Sequence, residues 1–248
     1  MNRREAMTGI ALSGVALVST AGAVARARTR EDKPASPPPA TPSAFAGTHA
    51  IAPLPFNPAK LKGLSEKLLR SHHENNYGGA VKNLNKVEEE LARTTKDTPG
   101  FLLGGLKERE LTFTNSMILH EAYFGNLGGD GKASGPIQKL LAGAYGDFGR
   151  WEEHFRATGA SLAGGSGWII LDYNLASGEP RTSWSGNHTQ AVASGVPLLV
   201  MDMYEHAYAL DYGAAAAKYI DAFFQNIQWD EVNRRLERAQ KAHAALKG

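Results

Sequence analysis

The run of five residues from Asp202 to His206 is the feature that most restricts how this chain can fold. It follows directly on the apolar segment Val196–Met201, whose length and composition are typical of a buried strand. An ionised aspartate at the end of such a strand is costly to bury unless a cation or strong hydrogen bonds compensate its charge. His206, four positions after Asp202, offers an imidazole as a second ligand. The pattern therefore predicts a metal site where a strand ends.

The composition narrows the chemistry of such a site. With 248 residues, 42% of them hydrophobic, the chain can bury the core of one large or two small domains without a metal to hold it together. Cysteine is absent, which excludes disulfides, thiolate nucleophiles, iron–sulfur clusters and cysteine-bound zinc. The metal would thus be functional, and its ligands would be nitrogen and oxygen atoms.

The first 27 residues have the pattern of an export signal. Arg3 and Arg4 precede an apolar stretch from Ile10 to Val24, and Ala25-Arg26-Ala27 has the small-x-small form of a cleavage site. The paired arginines favour the twin-arginine route; a general secretory signal and an uncleaved anchor are the alternatives. We expect a protein exported to the periplasm or the cell exterior, with no stable membrane insertion after cleavage.

The net charge of the predicted mature chain gives no reason to expect a nucleic-acid partner. The signal carries three of the 27 basic and one of the 25 acidic residues, so 24 of each remain. Residues 28–58 hold eight of the twelve prolines, a composition that favours an extended and solvated tether.

The next segment, residues 59–130, predicts a helical hairpin. Leucine and valine recur at three- and four-residue steps from Ala59 to Ala92, and a second apolar stripe runs from Phe113 to Leu127. We expect the first helix to kink or break at Gly78-Gly79. The two helices would pack in antiparallel orientation as an N-terminal domain.

Residues 131–248 predict a C-terminal α/β domain, and the whole chain an α+β fold. Helical patterns occupy residues 135–145, 148–158, 215–227 and 230–246. Between them lie three strand patterns, at residues 168–173, 181–184 and 197–201. These strands would form a small three-stranded antiparallel sheet.

Two further histidines lie in the apolar stripes of the predicted hairpin. A single histidine in such a stripe, whether His72 or His120, is more often a hydrogen-bonded core residue than a ligand. Two of them on partner helices, together with Asp202 and His206, favour a ligand set. Three imidazoles and one carboxylate suit iron, manganese or zinc, and the spacing alone does not choose among these metals.

Several motifs, in this order along the chain, resemble those of the iron/manganese superoxide dismutases. They are Leu69-Arg70-Ser71-His72-His73 with Asn83-Leu84-Asn85, His120-Glu121-Ala122-Tyr123-Phe124, Gly165-Ser166-Gly167-Trp168, and Asp202-Met203-Tyr204-Glu205-His206-Ala207-Tyr208. The resemblance extends from about Leu54 to Leu236. The family fold that it implies, a helical hairpin followed by an α/β domain, agrees with the fold predicted above.

The resemblance implies a ligand set and a reaction. His72, His120, Asp202 and His206 would hold one iron or manganese ion per subunit, with a solvent molecule as fifth ligand. The ion would cycle between its +3 and +2 states and convert superoxide to dioxygen and hydrogen peroxide.

The resemblance also implies residues that support this reaction. His188 stands where the family places a Gln or His that is hydrogen-bonded to the metal-bound solvent. Glu205 corresponds to a residue that crosses a dimer interface to hold the partner's metal-ligating histidine. Tyr204, between Asp202 and Glu205, completes the predicted catalytic group. A homodimer or a dimer of dimers follows as the expected assembly.

Four positions depart from the family pattern. Ala80 and Asn76 stand in place of the usual Tyr and His near the substrate entrance, and Phe124 and Tyr204 replace more usual tryptophans. Because the Tyr hydroxyl is lost, a second function stays open: a metal-binding, dismutase-like protein with little or no turnover. A zinc hydrolase with the same ligands is a weaker alternative, because no separate general base is evident.

Overall fold

The computed structural model describes residues 41–248, and these form one unit. The predicted export signal and the tether up to residue 40 lie outside the described residues. The helices are α1 Glu66–Ser71, α2 Gly78–Leu91, α3 Gly100–Gly125, α4 Pro136–Tyr145, α5 Phe148–Ala160, α6 Ala209–Tyr212, α7 Ala216–Phe224 and α8 Trp229–Lys247. The strands are β1 Trp168–Asn174, β2 Glu179–Ser185 and β3 Gly195–Asp202, and short 3-10 turns occupy Ser43–Phe45, Pro58–Lys60 and Glu205–Ala207.

The first predicted helix begins later and is irregular at a different place than the sequence suggested. It begins at Glu66, because the Ser65 hydroxyl accepts the Leu68 N–H and caps it. The irregularity is a π-helical turn over His72–Tyr77, and α2 starts directly after it at Gly78. The prediction of a kink at Gly78-Gly79 is therefore wrong in position.

The π turn changes which residues share a face. Residues five positions apart point roughly 140° away from each other on a regular α-helix, which steps about 100° per residue. The wider π turn, with its i→i+5 hydrogen bonds, reduces that angle. His72 and Tyr77, its first and last residues, are both buried, each with 1% of its surface exposed.

The C-terminal half contains the predicted three-stranded antiparallel sheet, in the order β2-β1-β3. All seven residues of the central strand β1 are buried, which explains the apolar run Trp168–Leu171 at its start. In the register of the sheet Trp168, the first residue of β1, pairs with Asp202, the last residue of β3. The α+β class and the strand positions predicted from the sequence are confirmed.

Hydrogen bonds join the end of α3 to β3 and so set the distance between the two halves of the site. The Asn126 side-chain oxygen accepts the Val200 N–H at 2.8 Å. The half-buried Arg235 of α8 donates to the carbonyl oxygens of Leu198 and Ala122, each at 3.1 Å. This packing crosses the predicted domain boundary at residue 130, and the division into two domains stays a prediction.

The end of the proline-rich segment is exposed over residues 48–53 and is also hydrogen-bonded to the helical hairpin. The Gly47 N–H and the His49 Nε2 bond to the two carboxylate oxygens of Glu88, at 2.8 and 2.7 Å. The His49 peptide also exchanges two hydrogen bonds with the Asn85 amide. We call residues 47–52 the N-terminal strap.

Candidate metal centre

Four predicted ligands converge from four different elements. His72 opens the π turn, His120 lies in α3, Asp202 ends β3 and His206 lies in the 3-10 turn that follows. One ligand atom from each residue lies within 4.8 Å of every other. His72, His120 and Asp202 are buried, while the side chain of His206 keeps 26% of its surface exposed.

The Asp202 carboxylate stands at the centre of the three imidazoles. Its Oδ2 lies 3.1 Å from the Nε2 of His72, 3.2 Å from that of His206 and 3.6 Å from that of His120. The Nε2 atoms of His72 and His120 are buried and lack a hydrogen-bond partner within residues 41–248, although both lie near Asp202 Oδ2. Buried polar atoms of this kind require a partner, and a cation is one that fits.

Other contacts orient the ligands. The His120 Nδ1 lies 2.6 Å from the Ser116 carbonyl oxygen, which fixes the tautomer and leaves Nε2 directed at the centre. The Tyr204 N–H donates to Asp202 Oδ1 at 2.8 Å, and the Tyr219 hydroxyl donates to the Asp202 carbonyl oxygen at 2.7 Å. Ser116 was not recognised from the sequence, although its position one helical turn before His120 is the available signal.

The protonation states match those of a metal-binding site. Burial lowers the pKa of His72 and lowers the pKa of His120 to about 3, so both rings are neutral at pH 7. Burial alone would raise the pKa of Asp202, but the neighbouring imidazoles of His206 and His72 outweigh it and hold that pKa below its usual range. Neutral imidazoles and an ionised carboxylate are the forms that bind a metal ion, so the residues fit iron or manganese.

His188 lies beside this group and is itself oriented by Trp168. The Trp168 Nε1–H donates to His188 Nδ1 at 3.0 Å, so the neutral ring carries its proton on Nε2. Burial lowers the pKa of His188 and keeps the ring neutral. The ring centroids of His188 and His120 are 6.4 Å apart.

Tyr204 and Glu205 occupy the outer side of the site. The Tyr204 ring stacks on His188 at 4.7 Å and on His206 at 5.3 Å between ring centroids. Burial raises the pKa of Tyr204 to about 12, so its hydroxyl stays protonated. Glu205 is exposed, and its carboxylate has no hydrogen bond or ion pair among the residues that the structure describes.

A cavity of about 230 Å³ opens onto the ligands. His188, His120 and His206 form its inner end, and Asn76 and Ala80 lie in its wall. The hydroxyl and imidazole expected there by resemblance are thus replaced by a methyl group and an amide. Tyr77 does not take the place of the missing hydroxyl, since its own hydroxyl bonds to the Ala52 N–H and to Glu121.

The fold and the site together define a protein with a mononuclear nitrogen and oxygen ligand set between a helical hairpin and an antiparallel sheet. Residues 133–235 match the family model described as iron/manganese superoxide dismutases, C-terminal domain.

Named relatives match a larger part of the chain. An iron superoxide dismutase of Cupriavidus metallidurans is 48% identical over 192 residues, which cover 77% of this chain and 98% of that protein. An iron superoxide dismutase of Aquifex aeolicus is 35% identical, covering 81% and 98%. A manganese superoxide dismutase of Halobacterium salinarum is 32% identical, covering 77% and 96%. The chain belongs to the iron/manganese superoxide dismutase family.

Proposed function

We propose that the chain dismutes superoxide with one iron or manganese ion held by His72, His120, Asp202 and His206. The convergence of four ligand atoms within 4.8 Å carries the proposal, and two of these atoms are buried nitrogens without a partner among residues 41–248. When bound, such an ion supplies one-electron redox chemistry between its +3 and +2 states, which turns superoxide into dioxygen and hydrogen peroxide.

The chain's own residues would admit the substrate and manage protons. The cavity gives a small anion a path to the ligands, with the Asn76 amide as a polar group in its wall. His188 presents Nε2–H to this cavity, since Trp168 occupies its other nitrogen. Tyr204 holds the rings of His188 and His206 in parallel planes.

Metal analysis combined with a superoxide assay tests this function. Protein recovered from its native host should contain about one iron or manganese ion per subunit and should accelerate the loss of superoxide. The departures at Ala80 and Asn76 favour a second candidate, a metal-binding protein with little turnover, which predicts the same metal content with negligible acceleration. Zinc as the bound metal would contradict both proposals.

We also propose a homodimer in which Glu205 reaches the partner's metal site. An exposed carboxylate one residue from the ligand His206, without a partner among residues 41–248, supports this assignment. In a two-fold dimer the same contact occurs twice.

Glu205→Ala should therefore weaken the dimer. Loss of one partner of a buried charged hydrogen bond costs about 2–5 kcal/mol. Because the substitution removes this contact twice, the dimer dissociation constant should rise by about 500-fold or more. Light scattering over a dilution series measures this change. Glu153→Ala, at an exposed site on α5, is the matched control, and equal dissociation constants for the two variants would refute the role of Glu205.

We propose export by the twin-arginine route from the sequence of residues 1–27. None of the helices described between residues 41 and 248 is both long and apolar enough to cross a bilayer. The double substitution Arg3→Lys with Arg4→Lys should leave the precursor in the cytoplasm, because the receptor reads the arginine pair. Cell fractionation measures the distribution, with Arg26→Lys as control, and unchanged export of the double variant would speak against this route.

A further inference from the structure

The π turn that carries His72 is held near both ends by the backbone of a single residue of the N-terminal strap, Ala52. The carbonyl oxygen of Ala52 accepts a hydrogen bond from His73 Nε2 at 2.8 Å. The N–H of the same residue donates to the Tyr77 hydroxyl, also at 2.8 Å. Ala52 thus connects the second residue of the turn to its last.

The Tyr77 hydroxyl extends this connection to the helix that carries His120. It donates to Glu121 Oε1 at 2.8 Å, and Glu121 directly follows His120 in α3. Burial raises the pKa of Tyr77 to about 12, so the hydroxyl remains a donor to Glu121 while it accepts from Ala52. The ring itself is buried between the two helices.

The strap is itself fixed, so it can hold the turn in place. Glu88 and Asn85 of α2 bind the peptide groups at positions 47 and 49. A π turn is rare and usually marks a functional site. The hydrogen bonds of Ala52 with His73 and Tyr77 favour this turn over a regular α-helix, which would rotate His72 and Tyr77 apart.

We infer that Tyr77 is a positioning residue of the metal centre, whose hydroxyl, bound to Ala52 and Glu121, fixes the π turn bearing His72 relative to the helix bearing His120. The inference rests on the metal site proposed above. It adds the strap, which precedes the hairpin in sequence, to the parts of the chain that determine metal affinity.

Tyr77→Phe tests the inference, because it keeps the ring and removes only the hydroxyl. Loss of a residue that orients ligands typically lowers metal affinity by about 10- to 100-fold. We expect a decrease of that size when the apo form of the full chain is titrated with Mn²⁺ against a competing chelator. The visible spectrum of the Co²⁺-loaded protein should also change, since its bands report ligand geometry.

Tyr145→Phe is the matched control. The Tyr145 hydroxyl likewise accepts a backbone N–H and donates to a side-chain oxygen, both at 3.1 Å and both on Thr182, and Tyr145 has no contact with the metal ligands. Both variants should lower the melting temperature, but the control should keep the native Mn²⁺ affinity and Co²⁺ spectrum. Native affinity and spectrum in Tyr77→Phe would overturn the inference.

A second variant covers the case in which Tyr77→Phe does not fold. Glu121→Ala, at an exposed helical position, removes the acceptor of the Tyr77 hydroxyl and should weaken Mn²⁺ binding by about threefold to tenfold, the effect of one hydrogen bond. Unchanged affinity would overturn the inference, with Glu153→Ala as control. If the native chain bound no Mn²⁺, the proposed metal site would be refuted as well. If the native chain binds Mn²⁺ and neither variant changes the affinity, only the positioning role of Tyr77 is refuted.

Discussion

Asp202→Ala is expected to remove the metal and with it the dismutase activity. Asp202 is the one anionic member of the ligand set, and its Oδ2 is the atom closest to all three imidazoles. Its removal leaves three imidazoles and no carboxylate to balance the charge of a di- or trivalent ion in a buried site. Each ligand of a four-ligand site contributes a large share of the binding free energy, so affinity should fall by at least about 100-fold.

Metal content after dialysis, the Mn²⁺ affinity and the rate of superoxide loss measure this effect. Asp172→Ala is the matched control, since Asp172 is also a buried aspartate of the sheet but bonds to Ser183 and is not among the ligands. Burial raises the pKa of Asp172 to about 6, so its removal at pH 7 takes a poorly solvated charge out of the core without touching the site. Native metal content in Asp202→Ala, or equal losses in the two variants, would contradict the proposed ligand set.

The helices and strands of this fold were predictable from the sequence where burial alone determines the spacing of the apolar residues. Strand β1 is buried on both faces and begins with the apolar run Trp168–Leu171, and α3 carries His120 in a stripe that faces the hairpin partner. The π turn was not predictable by the same means. Its two buried residues are five apart, a spacing that matches neither a helical nor a strand period.

The candidate site was predictable as a set of residues but not as a network. The ligand residues stand in recognisable motifs, and the structure brings those four together. The supports come from contacts distant in sequence: Ala52 with Tyr77, and Trp168 with His188. The proline-rich composition around residue 50 predicts an extended and solvated segment, and residues 48–53 are exposed. Composition does not report, however, that Glu88 and Asn85 bind the peptide groups of the strap.

His188→Ala is expected to lower activity by about 10- to 100-fold while the metal is retained. His188 is not one of the four converging ligands, so its loss leaves them in place. It does remove the Nε2–H that faces the cavity, and it leaves the Trp168 indole N–H without its acceptor. The rate of superoxide loss per bound metal ion, not per protein, is therefore the quantity to measure.

Two further variants separate the roles within this pair. His188→Gln retains an amide donor and should keep more activity than His188→Ala. Trp168→Phe keeps the imidazole of His188 but removes the donor to its Nδ1. The ring can then adopt the other tautomer and lose Nε2–H as a donor. Trp168→Phe should thus lower the rate per metal ion by a smaller factor than His188→Ala. His154→Ala, an exposed histidine on α5, should match the native rate. A native rate per metal ion in His188→Ala would mean that this histidine is an ordinary loop residue, and the proton supply would then have to come from solvent in the cavity.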